Sequence, residues 1–122
     1  MPSTLSFSIN RMAAPRQTFA EFAAMSKRLG VSAIEIRNDL PGIEILDGVP
    51  AQDIGAIARE HGLTIRSINA LQRFEQFDST RREEAIAMAK YAQACGAEAL
   101  VLCPTKDRKS TRLNSSHGYI SY

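Results

Sequence analysis

Gly30-Val31-Ser32-Ala33-Ile34-Glu35-Ile36-Arg37-Asn38-Asp39 decides how the rest of the chain is read. A glycine closes a helix-like stretch, and within three residues a run begins in which Ile34 and Ile36 alternate with Glu35 and Arg37. That period of two belongs to a strand with one apolar and one charged face. The same punctuation returns at Gly62 and Gly96, each followed by a short apolar run, so the spacing is near one βα unit.

Working outward, three helices fit between these marks. The first starts at Thr18, an N-cap with Glu21 three residues on, and turns Phe19, Phe22, Ala23 and Leu29 to one face. The second follows Pro50 and runs through Ile54, Ile57 and Ala58 to His61. The third opens near Ser79 or Thr80, with Glu83 and Glu84 in its first turn, and continues alanine-rich to Gly96. Strands are expected at Leu5 to Ile9, Ala33 to Arg37, Thr64 to Asn69 and Ala99 to Cys103. Helices between successive strands imply parallel, right-handed crossovers, an α/β (βα)₃β order. The first strand alternates Ser6, Ser8 and Asn10 with Leu5, Phe7 and Ile9, and the third pairs Ser67 with Asn69 on one side. One face of the sheet is therefore polar, either lining a ligand site or open to water.

Composition agrees with one globular domain: 122 residues, 44% hydrophobic, 23% charged. Residues 1–106 hold 12 Lys+Arg against 12 Asp+Glu, and residues 107–122 hold 3 against 1, so the excess positive charge sits in the tail. The body carries no basic footprint, and nucleic acid and membrane partners are not expected. The amino terminus lacks a charged start and apolar run, and only Cys95 and Cys103 occur, which makes a reducing, cytoplasmic setting the default. No glycine-rich nucleotide-binding pattern is found.

Ser8-Ile9-Asn10-Arg11-Met12, the segment from Gly30 to Asp39, and Gly96-Ala97-Glu98-Ala99-Leu100-Val101-Leu102 together resemble the opening half of a xylose isomerase-like TIM barrel of the sugar phosphate isomerase/epimerase group. Glu35 to Gly42 is most similar to inositol-catabolism proteins, including keto-inositol isomerases. The resemblance covers about residues 4–106 and implies a partial TIM (β/α)₈ barrel, since a complete one needs about 250 residues. It further implies metal-dependent proton transfer next to a carbonyl, with a divalent ion (Mn, Mg, Co or Zn) in the full-length parent and its ligands on later strands. This chain alone is then expected to hold neither the metal nor the catalytic carboxylates, and to be inactive by itself. A homo-oligomeric parent is compatible with the likeness.

The tail has a different likeness. Asp107 to His117 resembles the conceptual translation of a common sequencing-library adapter, Gly118-Tyr119 would be a sample index, and Ile120-Ser121-Tyr122 matches the adapter's continuation. Residues 107–122 are accordingly expected to be non-native and disordered, with the natural sequence interrupted near Thr105 or Lys106.

In (βα)₈ enzymes the working residues sit at the carboxyl ends of strands. Those ends offer Asn10, Arg37, Asn38, Asp39, Asn69 and Gln72, amide and charged groups suited to a small polyhydroxy substrate, with Phe74 as a possible wall. Equally, Asn and Asp begin turns, Arg37 pairs with Glu35 or Asp39, and Phe74 and Phe77 cap a core. His61 is placed to meet free helix carbonyls rather than a metal, and both cysteines read as small buried hydrophobes. The connector from Asp39 to Pro50 is long; it either covers a substrate or packs Ile43, Ile45 and Leu46 onto the barrel top. Two other functions stay open: a non-enzymatic binding or interaction domain, and a dehydratase or hydroxypyruvate isomerase of the same superfamily.

Overall fold

The computed structural model describes residues 5–39, 44, 45, 47–104, 120 and 121. Its elements are β1 (Ser8–Asn10), a 3₁₀ turn (Arg11–Ala13), α1 (Phe19–Arg28), β2 (Ala33–Arg37), α2 (Ala51–Glu60), β3 (Thr64–Gln72), α3 (Ser79–Cys95), β4 (Leu100–Cys103) and β5 (Ile120–Ser121). Strands β1 to β4 lie side by side in chain order and are all parallel. The expected (βα)₃β order is what forms. Strand β5 adds to it antiparallel, pairing Ile120 with Leu102 and Ser121 with Val101. The rest of the tail, 105–119 and 122, lies outside the described residues.

Local chemistry sets the helix ends. At α1 the Glu21 amide donates to Thr18 Oγ1 at 3.1 Å while the Thr18 amide donates to Glu21 Oε1 at 2.8 Å, a reciprocal cap. α3 is capped by Asp78, whose Oδ1 accepts from the Arg81 amide at 2.8 Å. Glu83 and Glu84 therefore fall beyond the first turn in which the sequence reading put them. Gly96 closes this helix at φ 82°, a left-handed conformation that costs glycine little. His61 follows α2 with its Nδ1 2.8 Å from the Ile57 carbonyl, the helix-end role expected of it.

Strand β3 contains two irregularities that keep its faces sorted. Ile34 pairs with Ile65 but Glu35 pairs with Ser67, so Arg66 is an extra residue. Asn69 pairs with Val101 but Leu71 with Leu102, so Ala70 is another. Each such bulge shifts the side-chain phase by one. Ile65, Ile68 and Leu71 thus all enter the core, at 2%, 0% and 3% exposure. A strictly alternating strand would place Ile68 opposite to Ile65. The bulges also carry β3 through Gln72, three residues past the expected end.

The core lies between the sheet's apolar face and the helices. Phe19, Phe22 and Ala23 of α1, Ile54 and Ala58 of α2, and Met88, Ala92 and Cys95 of α3 pack against Ile34, Ile36, Ile65, Ile68 and Leu71. Gly55 permits the close approach of α2 to the end of α3, because a Cβ there would stand 2.9 Å from the Cys95 carbonyl oxygen. Three apolar residues depart from expectation. Leu5 and Phe7 are exposed because β1 pairs only from Ser8 onward, against Ala33. Leu29 is exposed because it follows the last helical turn.

A buried ion pair ties two loops together at the carboxyl end of the sheet. Arg11, which follows β1, is 1% exposed, and its Nε donates to Glu44 Oε1 at 2.9 Å. Its remaining guanidinium nitrogens donate to the Ala14 and Gln17 carbonyls, and the group lies over the Phe22 ring, 5.2 Å from its centroid. Nearby, Tyr91 donates to the Val49 carbonyl at 2.9 Å, and burial raises its phenol well above the ordinary range. In the connector after β2, Ile45 packs against the core as one reading anticipated; Ile43 and Leu46 lie outside the described residues. Removing one member of a buried ion pair leaves the other charge without compensation. Glu44→Ala is therefore expected to lower the unfolding free energy by about 3–5 kcal/mol, and Glu44→Gln by less, measured by urea denaturation.

Candidate functional site

The face of the sheet opposite the helices carries a row of mostly polar side chains. β1 supplies Ser8 and Asn10, β2 Glu35 and Arg37, β3 Ser67, Asn69 and Gln72, and β4 Val101 and Cys103, all in matching register. Between them lies an open basin of about 380 Å³ lined by Asn10, Glu35, Arg37, Asn69, Ala70, Gln72, Val101 and Cys103. Asn10, Arg37, Gln72 and Cys103 are each the last residue of their strand. The basin thus opens where parallel (βα) folds place their chemistry.

Hydrogen bonds give its floor a defined geometry. Ser8 Oγ donates to Glu35 Oε2 and Ser67 Oγ donates to Glu35 Oε1, both at 3.0 Å. Asn69 Nδ2 in turn donates to Ser67 Oγ at 3.1 Å. The Glu35 carboxylate is held by two hydroxyls from the flanking strands, and among the described residues it has no ion-pair partner. Arg37 donates through Nε to Asp39 Oδ1 at 2.9 Å and through Nη2 to Asp39 Oδ2 at 2.7 Å. This two-pronged bond fixes the guanidinium plane and neutralises its charge. Asn10 uses its Oδ1 to accept the Met12 amide at 2.9 Å, and its NH₂ group has no partner among the described residues.

The sequence candidates separate by phase. Asn10, Arg37, Asn69 and Gln72 meet around the basin. Asn38, one residue out of phase with Arg37, brackets Ala70 instead: its Oδ1 accepts the Ala70 amide at 2.7 Å and its Nδ2 donates to the Ala70 carbonyl at 3.1 Å. It positions the second bulge and hence the last residues of β3, Asn69 to Gln72. Asp39 acts through Arg37. Phe74 packs against the core, while Phe77 stays 60% exposed. Among lining residues outside the candidate set, Glu35 shares the β2 phase of Arg37, and Cys103 ends β4; both signals were in the alternation. Ala70 carried no such signal, because nothing in its residue type announces a bulge.

Cys95 is buried, as expected for a small hydrophobe, but Cys103 is only half-buried and lines the basin. Among the described residues no three His, Cys, Asp or Glu side chains gather as ligands for an ion. Glu35 is engaged by hydroxyls and Asp39 by Arg37. No helix among the described residues is long and apolar enough to cross a membrane.

Comparison with solved structures places this geometry. A xylose isomerase domain-containing protein from Salmonella typhimurium LT2 superposes with a TM-score of 0.78 at 36% identity, over 83% of this chain and 37% of its own. The fold is part of a xylose isomerase-like TIM barrel. A protein from Sinorhizobium meliloti 1021 matches this partial barrel with a TM-score of 0.61 at 24% identity, over 88% of the chain and 42% of its own. A xylose isomerase domain protein from Alicyclobacillus acidocaldarius matches at 0.59 and 14%, over 92% and 42%. At those identities the latter two show the fold alone. The partial barrel spans less than half the length of each of these proteins. No family model matches the sequence, and no curated protein does.

The electrostatics of Cys103 provide a local test. Burial pushes its thiol up, Arg37 pulls it down and Asp39 pushes it up further. The thiolate is the reactive form. Iodoacetamide labelling of Cys103, followed by mass spectrometry, is expected to be slower than that of a free thiol near neutral pH and to accelerate only as pH rises into the alkaline range. Arg37→Gln moves the thiol still higher and slows labelling further.

Proposed function

We propose that this chain is the substrate-binding part of an isomerase or epimerase that moves a proton next to the carbonyl of a sugar, sugar phosphate or keto-inositol. The observation that carries the reading is the convergence of Asn10, Arg37, Asn69 and Gln72, one or two from each of three adjacent strands, on a single basin at the carboxyl ends of the sheet. Each amide offers a donor and an acceptor, and the fixed guanidinium offers donors in one plane. Vicinal hydroxyls need that alternation of donors and acceptors at set positions. The resemblance of the strand segments and the match to xylose isomerase domain proteins support the reaction class.

In this proposal the chain binds and orients the substrate. Asn10 and Gln72 grip hydroxyls at the rim, Arg37 bonds the oxygen nearest the β2 end, and Glu35 and Asn69 accept from hydroxyls that reach the floor. The groups that move the proton, and the ligands of a divalent ion, are proposed to lie on barrel strands beyond this chain. Residues 107–122 are proposed to be adapter-derived.

Two measurements test this. In saturation-transfer NMR, D-xylulose or myo-inositol is expected to bind the chain, and Arg37→Ala or Gln72→Ala to weaken binding at least about tenfold, roughly the loss of one charge-assisted hydrogen bond. Binding that neither substitution alters would defeat the assignment. The genomic DNA past Lys106 is expected to encode further βα units with Glu, Asp and His at strand ends; a stop codon there favours a stand-alone binding domain.

A further inference from the structure

We infer that the basin selects neutral polyhydroxy compounds and rejects their phosphate esters, with Glu35 as the residue that sets this preference. The inference rests on the reading of the basin as a substrate site and narrows its substrate class.

Among the described residues three ionic side chains stand at the basin: Glu35, Arg37 and Asp39. Arg37 is the cation among them, and both of its engaged nitrogens already face a carboxylate, at 2.9 and 2.7 Å. An incoming phosphate would have to displace Asp39 or share the guanidinium with it. Glu35 is solvated by Ser8 and Ser67 hydroxyls, which stabilise its charge without cancelling it. The described residues of the site therefore carry one net negative charge, and a phosphate monoester brings about two more. At contact distance such like charges repel even where water reaches them.

Among the described residues the other usual means of holding phosphate are also weakened. Phosphates are commonly held at helix N-termini by free amides. Here α1 is closed by the Thr18–Glu21 reciprocal cap and α3 by Asp78; α2 has no side-chain cap, but Asp53 in its first turn opposes an anion there. Arg11, the other cation beside β1, is buried against Glu44. Arg73 follows Gln72 but does not line the basin.

The same groups suit a neutral polyol. Each Glu35 oxygen already accepts one hydroxyl at 3.0 Å, and a carboxylate oxygen can accept a second. The floor thus reads hydroxyl donors, while the Asn10 amide and Arg37 present donors at the rim.

Isothermal titration of the chain with D-xylulose against D-xylulose 5-phosphate, and with myo-inositol against myo-inositol 1-phosphate, tests the inference. The neutral member of a pair is expected to bind at least about tenfold tighter at low salt, the gap narrowing as salt screens the repulsion. Glu35→Gln is expected to shrink the gap at least about threefold, and Asp39→Asn, which frees Arg37 at the exposed rim, to strengthen binding of the ester. Should an ester bind as well as its neutral partner, or the gap persist unchanged in both variants, the inference is overturned while the basin remains a substrate site. Failure of every compound to bind overturns the site itself and this inference with it.

Discussion

Side chains leave a strand alternately to its two faces, and in this molecule that constraint sorts the whole sheet. Helices cover one face, so every residue pointing that way must be apolar; the residues between them are free to be polar. Strand β2 satisfies the rule without adjustment, through Ile34 and Ile36 against Glu35 and Arg37. Strand β3 cannot. Its apolar residues Ile65, Ile68 and Leu71 are three apart, and only the extra residues Arg66 and Ala70 bring all three into the core. Ser67, Asn69 and Gln72 reach the opposite face by the same adjustment, so the packing requirement and the polar basin are two results of one register.

That dependence explains which parts of the molecule were legible in the residues. The three helices could be placed because their signals are local: the Thr18 and Glu21 cap, Pro50 before Ala51, and glycines at the exits. The parallel order followed from alternation of helix and strand. The end of β3 was not legible, since a bulge depends on the neighbouring strand's register and leaves no mark of residue type at Ala70. The exposure of Leu5 and Phe7 was hidden for a similar reason. Their apolar character fits a strand, but pairing starts at Ser8, where β2 offers a partner.

The candidate site was partly legible for the same cause. Strand ends could be located to within a few residues, which sufficed for Asn10 and Arg37. Residues adjacent to them differ by phase alone. Asn38 and Arg37 are neighbours in sequence, yet one fastens the Ala70 backbone while the other faces the basin. Glu35, deeper on β2, becomes conspicuous once Ser8 and Ser67 are seen to converge on it from the strands at either side. That convergence is a tertiary fact, and a single strand's sequence does not contain it.

The rim has one further property. Asn10, Arg37, Gln72 and Cys103 are terminal residues of four different strands, and each is held there by the main-chain pairing of the sheet rather than by its side chain. Exchanging one of them alters what the mouth of the basin recognises without disturbing the pairing beneath. Such a scaffold lends itself to gradual divergence: lineages can drift from one ligand to another by isolated codon changes, and a protein engineer can randomise four separate positions while leaving the foundation intact.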